Sequence, residues 1–318
     1  MRLDLLQAAF AAQGPFTRVL VAEARGSTPR EAGAELRVWP GRFEGTIGGG
    51  ALEHEALAAA RAGRLGAERL ALGPARGQCC GGAVVLGFER IDAGWLARAT
   101  AQVAETGSFA RPLKGAPCEM PLAVRRALAR ARDRGATPKR LIEGWLVEAA
   151  AAAPAPLWIW GAGHVGRALV GVLAPLPEFE ISWIDTAENR FPAEADGLRR
   201  IIAPRPAEAV TLALPETRHL IVTYSHVLDL ELCHALLGHG FAGLGLIGSA
   251  SKWARFRGRL RMLGHSDAQI ARITCPIGEP TLGKHPQAIA LGVATALLKD
   301  KRAAEPASSG QKQEGRAG

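Results

Sequence analysis

The chain has 318 residues, 48% hydrophobic and only 5% aromatic, and Lys plus Arg outnumber Asp plus Glu by nine. Length favours two domains, each large enough for its own core, and no run of about twenty apolar residues is free of charge, Gly or Pro, which argues against a membrane span. The basic balance suits an anionic cofactor or an acidic partner; with few aromatics and no helix-turn-helix, zinc-finger or RRM signature, nucleic acid is set aside.

In chain order, MRLDLLQAAFAAQG carries an acidic residue at Asp4 and predicts a short amphipathic helix over residues 3–12 instead of a secretory leader, so the expected location is the cytoplasm. Strands are predicted at Val19–Ala24, Ala34–Trp39 and Ala83–Phe88, and helices at 51–62 and 93–104, with Gly63 and Gly107 as stops. Residues 111–155 hold Pro112, Pro117, Pro121, a basic run and AAAAAPAP, and read as a linker region. From residue 156 the chain alternates apolar strand and helix through LWIWGAGHVGRALVGVL, FEISWID, HLIVTYS and FAGLGLIGS, the pattern of a parallel βαβ sheet. The expected class is α/β: a small N-terminal mixed α/β domain over 1–110, a Rossmann-like parallel-sheet domain over 156–299, and a disordered tail over 300–318.

Two glycine turns carry chemistry. The run Gly48-Gly49-Gly50 leads into an alanine-rich helical stretch, so its backbone N–H groups can face an anion at a helix N-terminus. Arg25, Ser27, Thr28 and Arg30 in RGSTPR offer hydroxyl and guanidinium donors beside it. Gly161-Ala162-Gly163-His164-Val165-Gly166 is a G-x-G-x-x-G after a strand and before a helix, and Asp185 ends the next strand where a ribose hydroxyl would be held. His164 stands within that turn. His226 and Asp229 are candidates for an acid-base or orienting pair, and Ser249 with Lys252 for a second pocket edge after the strand GLGLI.

Five cysteines, an odd number with Cys79 and Cys80 adjacent, suit free thiols in a reducing compartment. The pair sits in GQCCGG, where soft sulfur donors suit a transition metal or sulfur transfer, as metal ligands or as a persulfide carrier. Cys118, Cys233 and Cys275 read as structural.

ARGSTPREAGAEL, GTIGGGALE, GQCCGG, WGAGHVGRAL, the YSHVLDLELC segment, GLIGSASKWARF and CPIGEPTLGKHPQAIA, in that order over roughly residues 15–295, resemble the XdhC/CoxI family. Where the family pattern reads a His pair before Leu-Asp, this chain has Tyr224-Ser225-His226. The resemblance implies an accessory protein with no catalytic residues of its own. Such a protein binds the molybdenum cofactor (molybdopterin), protects it, assists its sulfuration by a cysteine desulfurase, and inserts it into the molybdenum subunit of apo-xanthine dehydrogenase. The residues named above from both glycine turns, with Asp185, His226, Ser249 and Lys252, and with Cys79 and Cys80 nearest the metal, would hold that cofactor. The competing reading is an NAD(P)-dependent oxidoreductase, or another nucleotide held in the Rossmann-like domain; it lacks a Tyr-x-x-x-Lys or similar hydride-transfer set, Tyr224 being the only tyrosine. A homodimer is expected from the commonness of two-fold assemblies.

Overall fold

The computed structural model describes residues 1–73, 81–134, 140–151, 153–193 and 198–304. The chain divides into two units, residues 1–152 and 153–305.

In the first unit α1 (Leu3–Gln13) leads into β1 (Phe16–Arg25), followed by β2 (Glu35–Val38), β3 (Phe43–Gly45), α2 (Gly50–Arg61), β4 (Gly66–Ala71), β5 (Ala83–Ile91) and α3 (Ala93–Thr106). The strands form an antiparallel sheet in the order β3-β2-β1-β5-β4. Side chains alternate along β1: Val19 and Val21 join Leu52 and Ala56 of α2 in one core, while Leu20 and Ala22 pack on Leu113 and Leu146 on the other face. Leu146 belongs to, and Leu113 directly follows a strand of, a small second sheet, ordered β6-β8-β7, of β6 (Ser108–Pro112), β7 (Leu141–Ile142) and β8 (Trp145–Ala149), which packs with α4 (Leu122–Arg134).

The linker expected at 111–155 is therefore corrected. Most of that span is folded within the first unit, because Trp145, Leu146 and Val147 bury their side chains. Arg18, on the same face of β1 as Leu20, meets Glu148 of β8 in a two-pronged pair (2.7 and 3.0 Å) and also reaches Glu35. Arg111 of β6 bridges Glu148 (2.6 Å) and Glu89 of β5 (2.5 Å). Burial pushes Glu148 upward, but Arg18 and Arg111 outweigh it and hold the carboxyl well below the usual range. This buried charge cluster joins the two sheets.

The second unit is a six-stranded parallel sheet in the order β11-β10-β9-β12-β13-β14. Its strands are β9 (Ala155–Trp160), β10 (Phe179–Asp185), β11 (Arg199–Ile202), β12 (Arg218–Ile221), β13 (Gly243–Leu246) and β14 (Ile273–Thr274). Helices α5 (His164–Leu173) and α10 (Pro286–Ala304) cover one face; α7 (His226–His239) and α8 (Ala250–Met262) cover the other, with short α6 (Pro206–Ala209) and α9 (Asp267–Ile270) beside them. Burial on both faces explains why these strands read as unbroken apolar runs. Counted along this unit, the order is 3-2-1-4-5-6, the doubly wound arrangement of a dinucleotide-binding fold, reversing between β9 and β12. The expected disordered tail begins too early: α10 continues past Lys299 to Ala304, and the remainder lies outside the described residues. Among the described residues no helix is long and apolar enough to cross a membrane.

Candidate functional site

In the first unit three segments far apart in sequence meet at one end of the five-stranded sheet. Arg25 ends β1, and the turn after it holds Gly26, Ser27, Thr28, Pro29 and Arg30. Gly82, just before β5, lies so close beneath it that a Cβ there would collide with the carbonyl oxygens of both Arg25 and Ser27. Gly48, in the loop from β3 to α2, touches the same turn from another side, where a Cβ would collide with Pro29. Gly82 is required by the close approach of one backbone to another, and Gly48 by the Pro29 ring against it and by its positive φ (+118°). Cys79 and Cys80 fall outside the described residues, so the structure places only their flank, Gly81 and Gly82.

The Gly48–Gly50 loop, expected as an open cradle, is filled from within. One oxygen of Glu53, on the first turns of α2, accepts hydrogen bonds from the Thr46 hydroxyl (2.6 Å), Ile47 N–H (3.0 Å) and Gly49 N–H (3.1 Å), while Gly48 N–H donates to the Thr46 hydroxyl (3.1 Å). Burial pushes Glu53 up, yet these donors hold its carboxyl below the usual range. Glu53 and Thr46 are the residues the sequence reading passed over; the signal for Glu53 was an acidic residue one turn into a helix that begins on glycine. Of the expected donors, Arg25 is exposed and pairs with Glu23 (3.3 Å), Arg30 pairs with Glu31 (3.0 Å), and Ser27 is exposed. Arg25 also borders an open cavity of about 490 Å³ whose wall includes Arg69, Glu23, Glu143, Val85 and Leu141.

In the second unit the glycine turn sits at the carboxyl end of β9, where the sheet order reverses. Gly161 (φ +116°) leaves no room for a side chain, since a Cβ would stand 2.6 Å from the Val222 carbonyl oxygen. A Cβ on Gly166 would collide with the Gly161 carbonyl oxygen, which also accepts a hydrogen bond from the Trp183 indole N–H (3.0 Å). Gly163 differs, because a Cβ there meets nothing within 4 Å. Its missing side chain leaves open space at the N-terminus of α5, beside exposed His164.

Asp185, read as a ribose partner, is buried and turned to the backbone. One oxygen accepts Ala162 N–H (2.6 Å); the other accepts Thr186 N–H (2.6 Å) and lies 3.4 Å from Arg190. The Arg190 guanidinium lies over the ring of exposed Tyr224, 4.5 Å from its centroid.

The expected His226–Asp229 pair does not form. His226 is exposed and meets Phe256 edge-on, whereas Asp229 is buried and accepts from the Thr223 hydroxyl (2.6 Å) and from Lys252 Nζ (2.5 Å). Lys252, expected at a pocket edge, points inward because Asp229 and the Ile247 carbonyl oxygen (2.7 Å) neutralise and satisfy its ammonium; Ser249 caps α8 by accepting Lys252 N–H (3.2 Å). Cys275 lies against Gly248, and burial raises its thiol to about 11, with Lys252 pulling the other way; burial pushes Cys233 higher still. Neither is a ready thiolate. Among the described residues no group of three or more His, Cys, Asp or Glu is placed to hold a metal ion.

Residues 9–71 match the model of the XdhC and CoxI family, and residues 157–297 match the model of the XdhC Rossmann domain, together more than half of the chain. The chain belongs to the XdhC/CoxI family. The first XdhC match contains RGSTPR, the Gly48–Gly50 loop and Glu53; the second contains the 161–166 turn and the Asp229–Lys252 pair. Among individual relatives, the uncharacterized protein YqeB of Escherichia coli (strain K12) is 32% identical over 146 residues, which is 44% of this chain. The matched region spans about a quarter (26%) of that relative's length. A crystal structure described as a xanthine dehydrogenase from Bacillus halodurans superposes with a TM-score of 0.68 at 20% identity, covering 97% of this chain and 98% of the other. At that identity the likeness is one of fold.

Proposed function

We propose that this chain is an accessory protein of xanthine dehydrogenase maturation that carries the molybdenum cofactor, protects it, supports its sulfuration by a cysteine desulfurase and passes it to the apo-enzyme. The observation that carries this reading is the meeting of RGSTPR, the glycine loop and the Gly81-Gly82 flank of the cysteine pair at one end of the first unit. XdhC membership supports it, and the name given to the Bacillus halodurans protein points to the same enzyme system.

The cargo is an anionic pyranopterin whose phosphate needs donors and whose molybdenum accepts sulfur ligands. The donor set fits it: Arg25, Arg30 and Ser27 offer guanidinium and hydroxyl groups at the rim, and Cys79 or Cys80 supplies sulfur from the adjoining segment. Because Glu53 closes the loop N–H groups, the arginines of the neighbouring turn carry the anion in this reading, and Gly48–Gly50 serve to bring the loop against Pro29. The chain acts as a cytoplasmic carrier, as a dimer, without turnover of its own.

The test is to purify the chain without oxygen from a host that makes the cofactor, oxidise it with iodine and quantify fluorescent pterin per chain. Near-stoichiometric pterin, falling at least tenfold in an Arg25→Ala/Arg30→Ala variant, is expected; no pterin after reloading with free cofactor overturns the proposal. A second reading is favoured by the open space at Gly163: a phosphate-bearing nucleotide at the turn of the second unit, as cosubstrate or regulator. Calorimetric titration with NADH and ATP tests it, with Gly163→Val as the blocking variant.

A further inference from the structure

On the surface of the second unit, away from both glycine turns in sequence, two histidines face one another. His234 Nδ1 lies 2.7 Å from His265 Nε2, and the rings meet edge-to-face with centroids 4.9 Å apart. Each is held on a fixed backbone. His234 is on α7, next to buried Cys233 and one turn before buried Leu237. His265 follows Gly264 (φ +93°), just past the end of α8; its own N–H donates to the Leu260 carbonyl oxygen (3.1 Å), and Ser266 beside it begins α9 with a reciprocal cap to Gln269. The geometry points to a surface site for a divalent transition cation of the imidazole-preferring class, such as Ni²⁺ or Zn²⁺, bound by His234 Nδ1 and His265 Nε2 with water completing the shell.

Two features carry this. In a pair of neutral imidazoles one inner nitrogen donates its proton to the other; moving that proton to the outer nitrogen of the donor ring leaves both inner nitrogens bare, with no net proton released. Bonds of about 2.0–2.1 Å to a common ion at about a tetrahedral angle need the nitrogens a little over 3 Å apart, an opening of about half an ångström that side-chain rotation supplies. A bound ion would pin α7 to the connection between α8 and α9.

The experiment is a calorimetric titration of the full, tag-free chain with Ni²⁺ under a phosphine reductant, alongside thermal unfolding with and without the ion. One ion per chain is expected, with a higher unfolding midpoint in its presence. His234→Ala and His265→Ala should each weaken binding more than about tenfold and abolish the shift. Cys79→Ser/Cys80→Ser should leave both intact. Absence of binding to the natural chain, or binding that survives both histidine substitutions and disappears with the thiols, overturns the proposal. Far-UV circular dichroism of the two exposed-site variants checks that loss of binding is not loss of fold.

Discussion

The two units each place a glycine-rich turn at the start of a helix, and the turns end differently. In the first unit the N–H groups of Ile47 and Gly49 converge on Glu53, so the loop is complete without a ligand. In the second, Asp185 takes Ala162 N–H, but the space beside Gly163 is empty. A glycine run before a helix therefore reports a tight backbone and leaves open what fills it: a carboxylate of the same chain in one case, room for a phosphate in the other. The same contrast runs through the buried charges. Glu148 is held by arginine forks between two sheets, whereas Asp229 and Lys252 sit where β12 and β13 deliver their carboxyl ends.

The largest effect expected is at the scaffold of the first unit. Glu148→Ala leaves Arg18 and Arg111 buried without their shared partner and should cost about 3–5 kcal/mol in urea unfolding. A loss below about 1 kcal/mol would mean that this cluster behaves like a surface pair. Next comes Gly166→Ala, whose Cβ collides with the Gly161 carbonyl oxygen and should cost about 2–3 kcal/mol, while Gly163→Ala should change stability by less than about 0.5 kcal/mol. Equal losses in the two variants would erase the distinction between a packing glycine and an open one. Asp229→Asn keeps the shape but removes the charge facing Lys252, for an expected loss of about 2 kcal/mol by the same measurement.

The smallest effect, and the sharpest test of the first turn, is Glu53→Gln, with an expected loss of about 1 kcal/mol near pH 7. Glu53 has a lowered folded-state pKa, so its contribution is present above the unfolded carboxylate value and is lost as pH falls through the folded one. The stability difference between natural chain and variant should hold from pH 7 to about pH 5 and close at more acid pH. A difference that does not change with pH would remove Glu53 from the turn.

Much of the second unit was legible in the sequence because its strands are apolar on both faces and its turn needs Gly161 and Gly166 for packing alone. The first unit was less so. β4 reads GAERLA, in which Glu68 and Arg69 obscure the alternation, and β8 lay hidden among prolines and alanines. The buried ion cluster had a signal in Arg18 within FTRVLVAEA and Glu148 within WLVEA, charges set inside apolar runs, but their pairing spans 130 residues and only the fold brings them together. Asp229 was visible as a candidate with the wrong partner. Sequence proximity favoured His226, and the sheet brought Lys252 closer.

The indole N–H of Trp183 is bonded to the carbonyl of Gly161, the first residue of the turn, inside an otherwise apolar core. Any molecule that settles against that loop and shifts its carbonyl changes the polarity felt by this fluorophore. Trp183→Phe removes the signal and leaves the other six tryptophans as background. The chain thus contains a built-in optical probe of its own turn, readable as a change in emission with no label attached.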